Sequence, residues 1–116
     1  MDIYHAWFDL KEGVGDAEFA EHLRSYMAHL EGQGLVAGWR LTRRKLGLGP
    51  PHLPEFHLMM DTEGLAQLDA AFALVSTRSM PVEGLHHAVN SRVRNVTFAL
   101  YRDFPDPGRR TGEERF

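Results

Sequence analysis

The chain has 116 residues with a formal net charge of -3, and 43% of them are hydrophobic. This length and composition indicate one domain with a single core and exclude intrinsic disorder over most of the chain. The mild acidity argues against nucleic acid or an anionic membrane as the main partner, and the lack of cysteine excludes disulfides and thiolate metal sites. The sequence has no run of 18 apolar residues and no secretion-signal pattern at its start, so we expect a cytoplasmic protein without a membrane span.

The first part of the chain predicts a strand and a helix. Residues 2–10 alternate as the side chains of a strand do, and a turn that contains glycine follows at 11–15. Asp16 is expected to cap a helix over residues 16–30. The apolar side chains of this helix recur at intervals of three and four, so they form one buried face. They are Phe19, Leu23, Tyr26, Met27 and Leu30.

The middle of the chain predicts two strands joined by a loop, followed by a second helix. The strands lie at residues 35–46 and 55–61, and the arginines of the first suit an edge strand. Residues 47–54 between them contain three prolines and two glycines, which prevents a continuous ladder. The second helix is expected over residues 62–78, capped by Thr62 or the residue before it. Its buried face is Leu65, Leu68, Phe72 and Val75.

The last part of the chain predicts a short helix, a fourth strand and a tail. Pro81 suits the first turn of a helix that runs to Asn90, and residues 92–101 alternate as a strand. The side chains of this strand that are expected to face the core are Val96, Phe98 and Leu100. We therefore predict one domain over residues 1–101 and a C-terminal extension over residues 102–116.

The first strand carries different chemistry on its two faces. Because side chains alternate with period two, Tyr4 and Phe8 share an apolar face. The other face holds an imidazole, an indole and a carboxylate, and an ordinary solvated sheet would not carry an indole there. We expect this second face to be a cavity or an interface. Its residues are His5, Trp7 and Asp9.

The predicted order of strand, helix, strand, strand, helix and strand is the ferredoxin-like α+β arrangement, βαββαβ. Right-handed crossovers place the first and third strands at the centre of a four-stranded antiparallel sheet, with the second and fourth at its edges. Both helices then cover one face of the sheet. The opposite face is polar, yet it carries too much apolar area to be left simply wet. The candidate ligand-binding residues on it are His5, Trp7, Asp9, Arg40, Arg44, His57 and Tyr101.

Two histidines of this face are the main candidates for chemistry. His5 and His57 lie on adjacent strands with the same side-chain parity. A register that pairs residue 5 with residue 59 sets His57 opposite Trp7, and a two-residue shift sets it opposite Asp9. A histidine oriented by an aspartate suits general acid or base work near neutral pH. The alternative is that both histidines hydrogen-bond within a dimer interface and do no chemistry.

This pattern resembles the dimeric α+β barrel superfamily over residues 1–101, in its element order, its extra helix before the last strand and its mixed sheet face. The resemblance implies a homodimer in which two ferredoxin-like subunits stack their sheets and enclose pockets between sheet and helices. The chain is similar to the small bacterial families of unknown function in that superfamily. Other members are cofactor-independent monooxygenases, haem-degrading enzymes and lactone isomerases, so the resemblance leaves the function open.

The sequence disfavours metal, haem and RNA as ligands. His22 and His29 lie two helical turns apart, too far to share an ion without further ligands. The haem-degrading branch has a pattern with Trp and His on the second helix, and residues 62–78 contain neither. The third strand lacks the basic, glycine and aromatic pattern of RNA-recognition modules. We expect no metal, no cofactor and no nucleic-acid partner.

No motif in the sequence names a reaction. We expect a homodimer with a pocket on the sheet face for a small anionic or aromatic molecule, where Arg40 and Arg44 would favour an anionic group. The first alternative is a cofactor-independent monooxygenase or an isomerase-like enzyme. The second is a non-catalytic module for dimerisation or ligand sensing.

Overall fold

The structure is a computed structural model, and it describes residues 1–106. Within this range, strands and helices follow one another in the predicted order and confirm the ferredoxin-like α+β fold, with a short extra helix before the last strand. Most of the expected extension over residues 102–116 lies outside the described residues. The elements are β1 (Asp2–Leu10), α1 (Asp16–Gly32), β2 (Gly38–Arg43), β3 (Phe56–Thr62), α2 (Leu65–Ser76), α3 (Val82–Asn90) and β4 (Val93–Arg102).

The four strands form an antiparallel sheet in the order β2-β3-β1-β4, so β1 and β3 are central as predicted. In the pairing of β1 with β3, His5 lies opposite Met59 and Trp7 lies opposite His57. Of the two registers considered above, this is the one that pairs residue 5 with residue 59. Because directly opposed side chains stand on the same face, the indole and both imidazoles are neighbours.

The helix α1 supplies much of the core, which lies on the face of the sheet opposite the indole and imidazoles. Its predicted apolar face is buried, and Phe19, Leu23, Met27 and Leu30 are at most 1% exposed. These side chains form one cluster with inward-facing strand residues such as Phe8. Fully burying a side chain of this size contributes about 1.5–3 kcal/mol, so the contact between α1 and the sheet is a main source of stability.

Both predicted helix caps are wrong. Thr62 is the last residue of β3, and its buried hydroxyl donates a hydrogen bond to the carbonyl oxygen of Asp2 at 2.8 Å. The second helix therefore begins later, at Leu65. Asp16 is the first residue of α1, and its carboxylate accepts the N–H of Ala17 at 2.7 Å. In both places a glycine occupies the cap position, and no side chain bonds to the helix start from there.

The inner face of β4 is not buried as the sequence predicts. Phe98 and Leu100 do face the helix side, where they lie opposite Ala6 and Tyr4 of β1. Even so, Val96, Phe98 and Leu100 are 38%, 58% and 51% exposed. The reason is that β4 is an edge strand, and the described helices leave the outer part of its inner face uncovered.

A bulge in β4 changes which side chains face the helices. The register of β4 against β1 shifts by one residue between Trp7 and Asp9. Asn95 lies at this shift with φ of 57°, and its amide donates a hydrogen bond to the carboxylate of Asp9 at 3.1 Å. Because the bulge takes up one extra residue, Val93 and Val96 both face the helices although a regular strand would place them on opposite faces.

Replacing Asn95 with alanine is expected to destabilise the protein by about 1–2 kcal/mol. Alanine is strained at the left-handed φ of this position and also loses the hydrogen bond to Asp9. Asn95→Gly loses only the bond, so it should cost less. Urea unfolding of both variants measures the difference, and equal losses would contradict a role for the backbone conformation.

Candidate functional site

Aromatic rings cluster on the face of the sheet that the helices do not cover. Trp7 and His57 stack with ring centroids 4.3 Å apart, and His5 lies 5.5 Å from the indole and 5.1 Å from the other imidazole. Tyr101 of β4 meets His5 edge-on at 5.1 Å. The structure thus brings four of the candidate residues together. We call His5, Trp7, His57 and Tyr101 the sheet-face cluster.

A hydrogen bond joins the two imidazoles of the sheet-face cluster. Nδ1 of His5 and Nε2 of His57 are 2.8 Å apart, so one of the two nitrogens carries the proton and donates it. The other ring nitrogen of His5, Nε2, is buried and has no hydrogen-bond partner within residues 1–106. If both rings became imidazolium, two N–H groups would face each other across this bond. The pair can therefore hold only one extra proton without breaking.

Burial lowers the pKa of both histidines below 6.5. The neighbouring His5 lowers the pKa of His57 further, whereas the negative charge of Asp61 partly opposes the shift at His5. The pair is therefore neutral near pH 7. Neutral imidazole accepts a proton, so this arrangement is chemically able to act as a general base.

Asp9 lies apart from the imidazole pair. Its Oδ1 accepts the backbone N–H of Glu55 at 3.0 Å, and its Oδ2 accepts the amide of Asn95 at 3.1 Å. These bonds, the backbone one above all, lower the pKa of the Asp9 carboxyl group. Within residues 1–106 its carboxylate bonds to neither histidine, so the aspartate fastens the end of the sheet and the histidines orient each other.

The two candidate arginines have different surroundings. The strand β2 ends at Arg43, earlier than predicted, so Arg44 lies at the start of the following loop. The guanidinium of Arg44 donates hydrogen bonds to the carbonyl oxygens of Pro50 and Leu53, which hold this loop in place. Arg40 is exposed on β2.

A hollow of about 290 Å³ lies between the sheet-face cluster and the loop that Arg44 holds. Trp7 and His57 form one side of it, and Lys45 and Pro54 belong to the other. An indole beside basic groups suits an aromatic anion, because a charged acceptor forms strong hydrogen bonds with such donors.

A second cavity, of about 280 Å³, lies on the opposite side of the sheet, between the strands and the three helices of the described chain. Its lining is mostly apolar and includes Met27 of α1, Ala71 of α2, Val89 of α3 and Ala6 of β1. The resemblance to the dimeric α+β barrel superfamily implies pockets between sheet and helices, but the candidate ligand-binding residues predicted from the sequence all lie outside the lining of this cavity. Each of these lining residues has the pattern of an ordinary core residue, so the sequence gives no signal that a space remains between them.

Polar side chains interrupt the apolar wall of this helix-side cavity. They are Tyr4, Tyr26, His86 and Asn90. Within residues 1–106 none of their side-chain polar groups makes a hydrogen bond, although Tyr26 is only 9% exposed. Burial raises the pKa of Tyr26 to about 12, with smaller contributions from Tyr4 and Glu83, so its hydroxyl stays protonated and can donate a hydrogen bond. The rings of Tyr26 and His86 are 5.7 Å apart. The available signal in the sequence was the single hydroxyl in the apolar stripe of α1.

Within residues 1–106, no group of three or more His, Asp or Glu side chains is placed to hold a metal ion. The helices of the same range are all too short or too polar to cross a membrane.

Solved structures with this fold include proteins of known and unknown activity. A protein from Arabidopsis thaliana matches with a TM-score of 0.71 and 11% identity, over 91% of this chain and 98% of that one. A mutant of SnoaB, a cofactor-independent oxygenase from Streptomyces nogalater, matches with a TM-score of 0.69 and 11% identity, over 93% and 97%. A dimeric ferredoxin-like protein of unknown function from Jannaschia sp. CCS1 matches with a TM-score of 0.56 and 12% identity, over 89% and 100%. At these identities the likeness defines the class of fold alone.

The chain belongs to the Family of unknown function (DUF6614), whose model matches residues 1–116. This confirms the predicted similarity to a family of unknown function within the ferredoxin-like class. No curated protein matches the sequence.

The lowered pKa values of His5 and His57 predict that the protein loses stability in mild acid. The unfolded chain binds protons at these histidines as the pH falls through 6.5, while the folded chain still resists them, so unfolding becomes more favourable. A double variant with phenylalanine at both positions should lose less stability between about pH 7.5 and about pH 5.5. Urea midpoints at the two pH values measure this. His87→Phe, at an exposed position, is the control, and an equal loss in both variants would count against the imidazole pair.

Proposed function

We propose that this protein is a homodimer that binds one small, mostly apolar molecule per chain in the helix-side cavity. The observation that carries the proposal is the hydroxyl of Tyr26, which lies in an apolar wall with no hydrogen-bond partner within residues 1–106. A phenol hydroxyl in an otherwise apolar cavity wall can donate a hydrogen bond to a ligand that enters the cavity, so it supplies a point of recognition there.

The chemistry of the cavity indicates the class of ligand. A volume of about 280 Å³ is at the small end of ligand pockets, so it suits a compact molecule of one or two rings. Because Tyr26 stays protonated, it would donate a hydrogen bond to an oxygen of the ligand. His86 is close enough to Tyr26 to contact the same polar end. The rest of the wall would cover an apolar body.

The sheet face supports the homodimer. The sheet-face cluster leaves an indole, two imidazoles and a phenol on a surface without a covering layer in residues 1–106. Such a surface is typical of an interface, because rings gain more from burial than from contact with water. A structure of the same fold, from Jannaschia sp. CCS1, is a dimer. A second copy that stacks its own sheet on this face would cover the sheet-face clusters of both chains.

A second candidate function is an enzyme that oxygenates or isomerises its ligand without a cofactor. The specific observation in its favour is that a phenol and an imidazole lie together in one apolar cavity, since general acid–base chemistry uses such groups. The oxygenase from Streptomyces nogalater shows that the fold can serve this type of reaction. Mass spectrometry of a ligand after incubation in air separates the cases, because oxygenation changes the mass and binding alone leaves the compound unchanged.

A second candidate ligand site is the hollow beside the sheet-face cluster. We propose it for an aromatic carboxylate, with the ring near Trp7 and His57 and the carboxylate near Arg44. Arg40 and Tyr101 lie on the same face outside the lining of the hollow, where they would attract an anion or widen the apolar surface, and Asp9 would support the sheet beneath it. This site and a stacked sheet compete for the same surface, so one experiment can decide between them.

The helix-side cavity predicts a measurable preference among simple ligands. Isothermal titration should give tighter binding of 1-naphthol than of naphthalene, because only the naphthol offers an oxygen to Tyr26. Tyr26→Phe should weaken naphthol binding about fivefold, the value of one hydrogen bond, and leave naphthalene binding unchanged. Ala71→Phe, which fills the cavity from α2, should abolish both. Ala73→Phe, the same substitution on the exposed side of α2, is the matched control. If Ala71→Phe and Ala73→Phe bind 1-naphthol equally well, the helix-side cavity is not the binding site.

The hollow beside the sheet-face cluster predicts a change in the fluorescence of Trp7 when an aromatic acid binds. In a Trp39→Phe background the fluorescence reports Trp7 alone, and benzoate should change it in a saturable way that His57→Ala weakens. If benzoate has no effect, and His57→Ala halves the mass measured by light scattering, then this face is a dimer interface and the hollow binds no aromatic acid.

A further inference from the structure

We propose that the second copy of the chain closes the mouth of the helix-side cavity, so that ligand binding and dimerisation strengthen each other. This inference rests on the proposed function and adds that the cavity is incomplete in a single chain. The part of the molecule that carries it is the edge strand β4.

The helix-side cavity has one wall that is open. Val96 and Phe98 of β4 line it, and their side chains are 38% and 58% exposed. On the side formed by α1, by contrast, the lining residues Leu23 and Met27 are 1% exposed. A ligand in the cavity would therefore touch water at β4 and at the neighbouring Phe72 of α2, and would be covered on the side of α1.

The apolar surface continues outward from this opening. Phe72 of α2 is 49% exposed and meets Tyr4 edge-on at 5.2 Å, while Phe98 stacks on the other side of Tyr4 at 5.6 Å. Leu100, beside them on β4, is 51% exposed and does not line the cavity. A continuous exposed patch of this kind marks an interaction site. We call Phe72, Val96, Phe98 and Leu100 the apolar mouth.

The edge of β4 is suited to a second copy of the same chain. Seven consecutive residues, 95–101, carry no charged side chain, and an edge strand without charges is open to pairing with another strand. Two copies related by a twofold axis could bring these segments together without repulsion between like charges. The absence of charge makes this edge a poor match for a partner recognised by ion pairs.

The apolar mouth is also continuous with the sheet face. Tyr101 follows Leu100 on β4 and points to the opposite side, where it contacts His5 of the sheet-face cluster. A second copy stacked on the sheet face would therefore meet the edge of β4 as well. By reaching round this edge it would cover the apolar mouth, and no described residue of the first chain does so.

Closure of the mouth would couple two equilibria. A ligand in the closed dimer has apolar contacts on every side, whereas in the monomer its outer face is wet, so its affinity is higher in the dimer. By linkage, the ligand must strengthen the dimer by the same factor that the dimer strengthens ligand binding. We expect a factor of about ten, which is in the usual range for coupled sites.

The test measures naphthol affinity and molecular mass in parallel. Wild-type protein is diluted through its dimer dissociation range while sedimentation reports the mass and 1-naphthol binding is titrated at each concentration. We expect the affinity to fall about tenfold as the dimer dissociates. Leu100→Glu should give a folded monomer with the same weak affinity at all concentrations. Met80→Glu, at a position 75% exposed between α2 and α3, is the matched control and should behave as wild type.

The outcomes separate this inference from the proposed function. If naphthol binds with one affinity to monomer and dimer, the cavity is a ligand site but the second copy does not close it. If Leu100→Glu remains a dimer, the partner covers the sheet face and leaves the apolar mouth open, which also overturns the inference. If naphthol binds to neither form, the proposed function itself fails. The dilution series uses the wild-type chain, so the result does not depend on how the variant folds.

Discussion

The pairing of β1 with a neighbour on each side governs the rest of the structure. Because β1 lies between β3 and β4 and is antiparallel to both, its residues from Asp2 to Trp7 each have a fixed partner on two strands. Side chains alternate along it, so one set of partners faces the helices and the other faces away. A single register therefore places the helix-side cavity and the sheet-face cluster back to back. Tyr4 belongs to one and His5, the next residue, to the other.

The sequence was sufficient for the order of elements and for the polarity of the two faces. Alternation in β1 separated His5 and Trp7 from Phe8, and parity placed His57 beside them, as the structure confirms. These predictions succeed because periodicity is a property of the backbone that a residue pattern reports directly. The choice between two registers needed the structure, since a shift by two residues preserves every face.

Other features depend on interactions that periodicity does not describe. The bulge at Asn95 shifts the frame of β4, so Val93 and Val96 reach the same face against the regular alternation. The helix-side cavity exists because the helices and strands that surround it do not pack closely enough to fill it. The residue pattern does not reveal this, since an apolar residue looks the same in the sequence whether it fills the core or only lines a cavity. The hydrogen bond between His5 and His57 likewise depends on side-chain rotamers, which cannot be predicted from the residue pattern. For the same reason Asp9 was associated with the histidines when it holds the backbone of Glu55.

The helix-side cavity and the hollow beside the sheet-face cluster differ in how firmly their walls are held. The loop beside the sheet-face cluster is clamped by the guanidinium of Arg44, and a Cβ at Gly49 would lie 2.7 Å from its Nε, so a larger residue there would require the Arg44 side chain to shift. This wall is set before any ligand arrives, which reduces the entropy lost on binding. The open side of the helix-side cavity has no such clamp within residues 1–106, and its shape depends on an edge strand.

The hydroxyl of Tyr26 has a consequence for how the cavity wall can be engineered. Because the ring of this residue supplies its packing in the core, phenylalanine at this place in α1 would keep the apolar contacts and remove only the hydroxyl. Leu23 and Met27, in the same stripe, are apolar and almost fully buried. The polarity of this cavity wall can therefore be changed at a single oxygen atom without altering the shape of the stripe that packs α1 on the sheet.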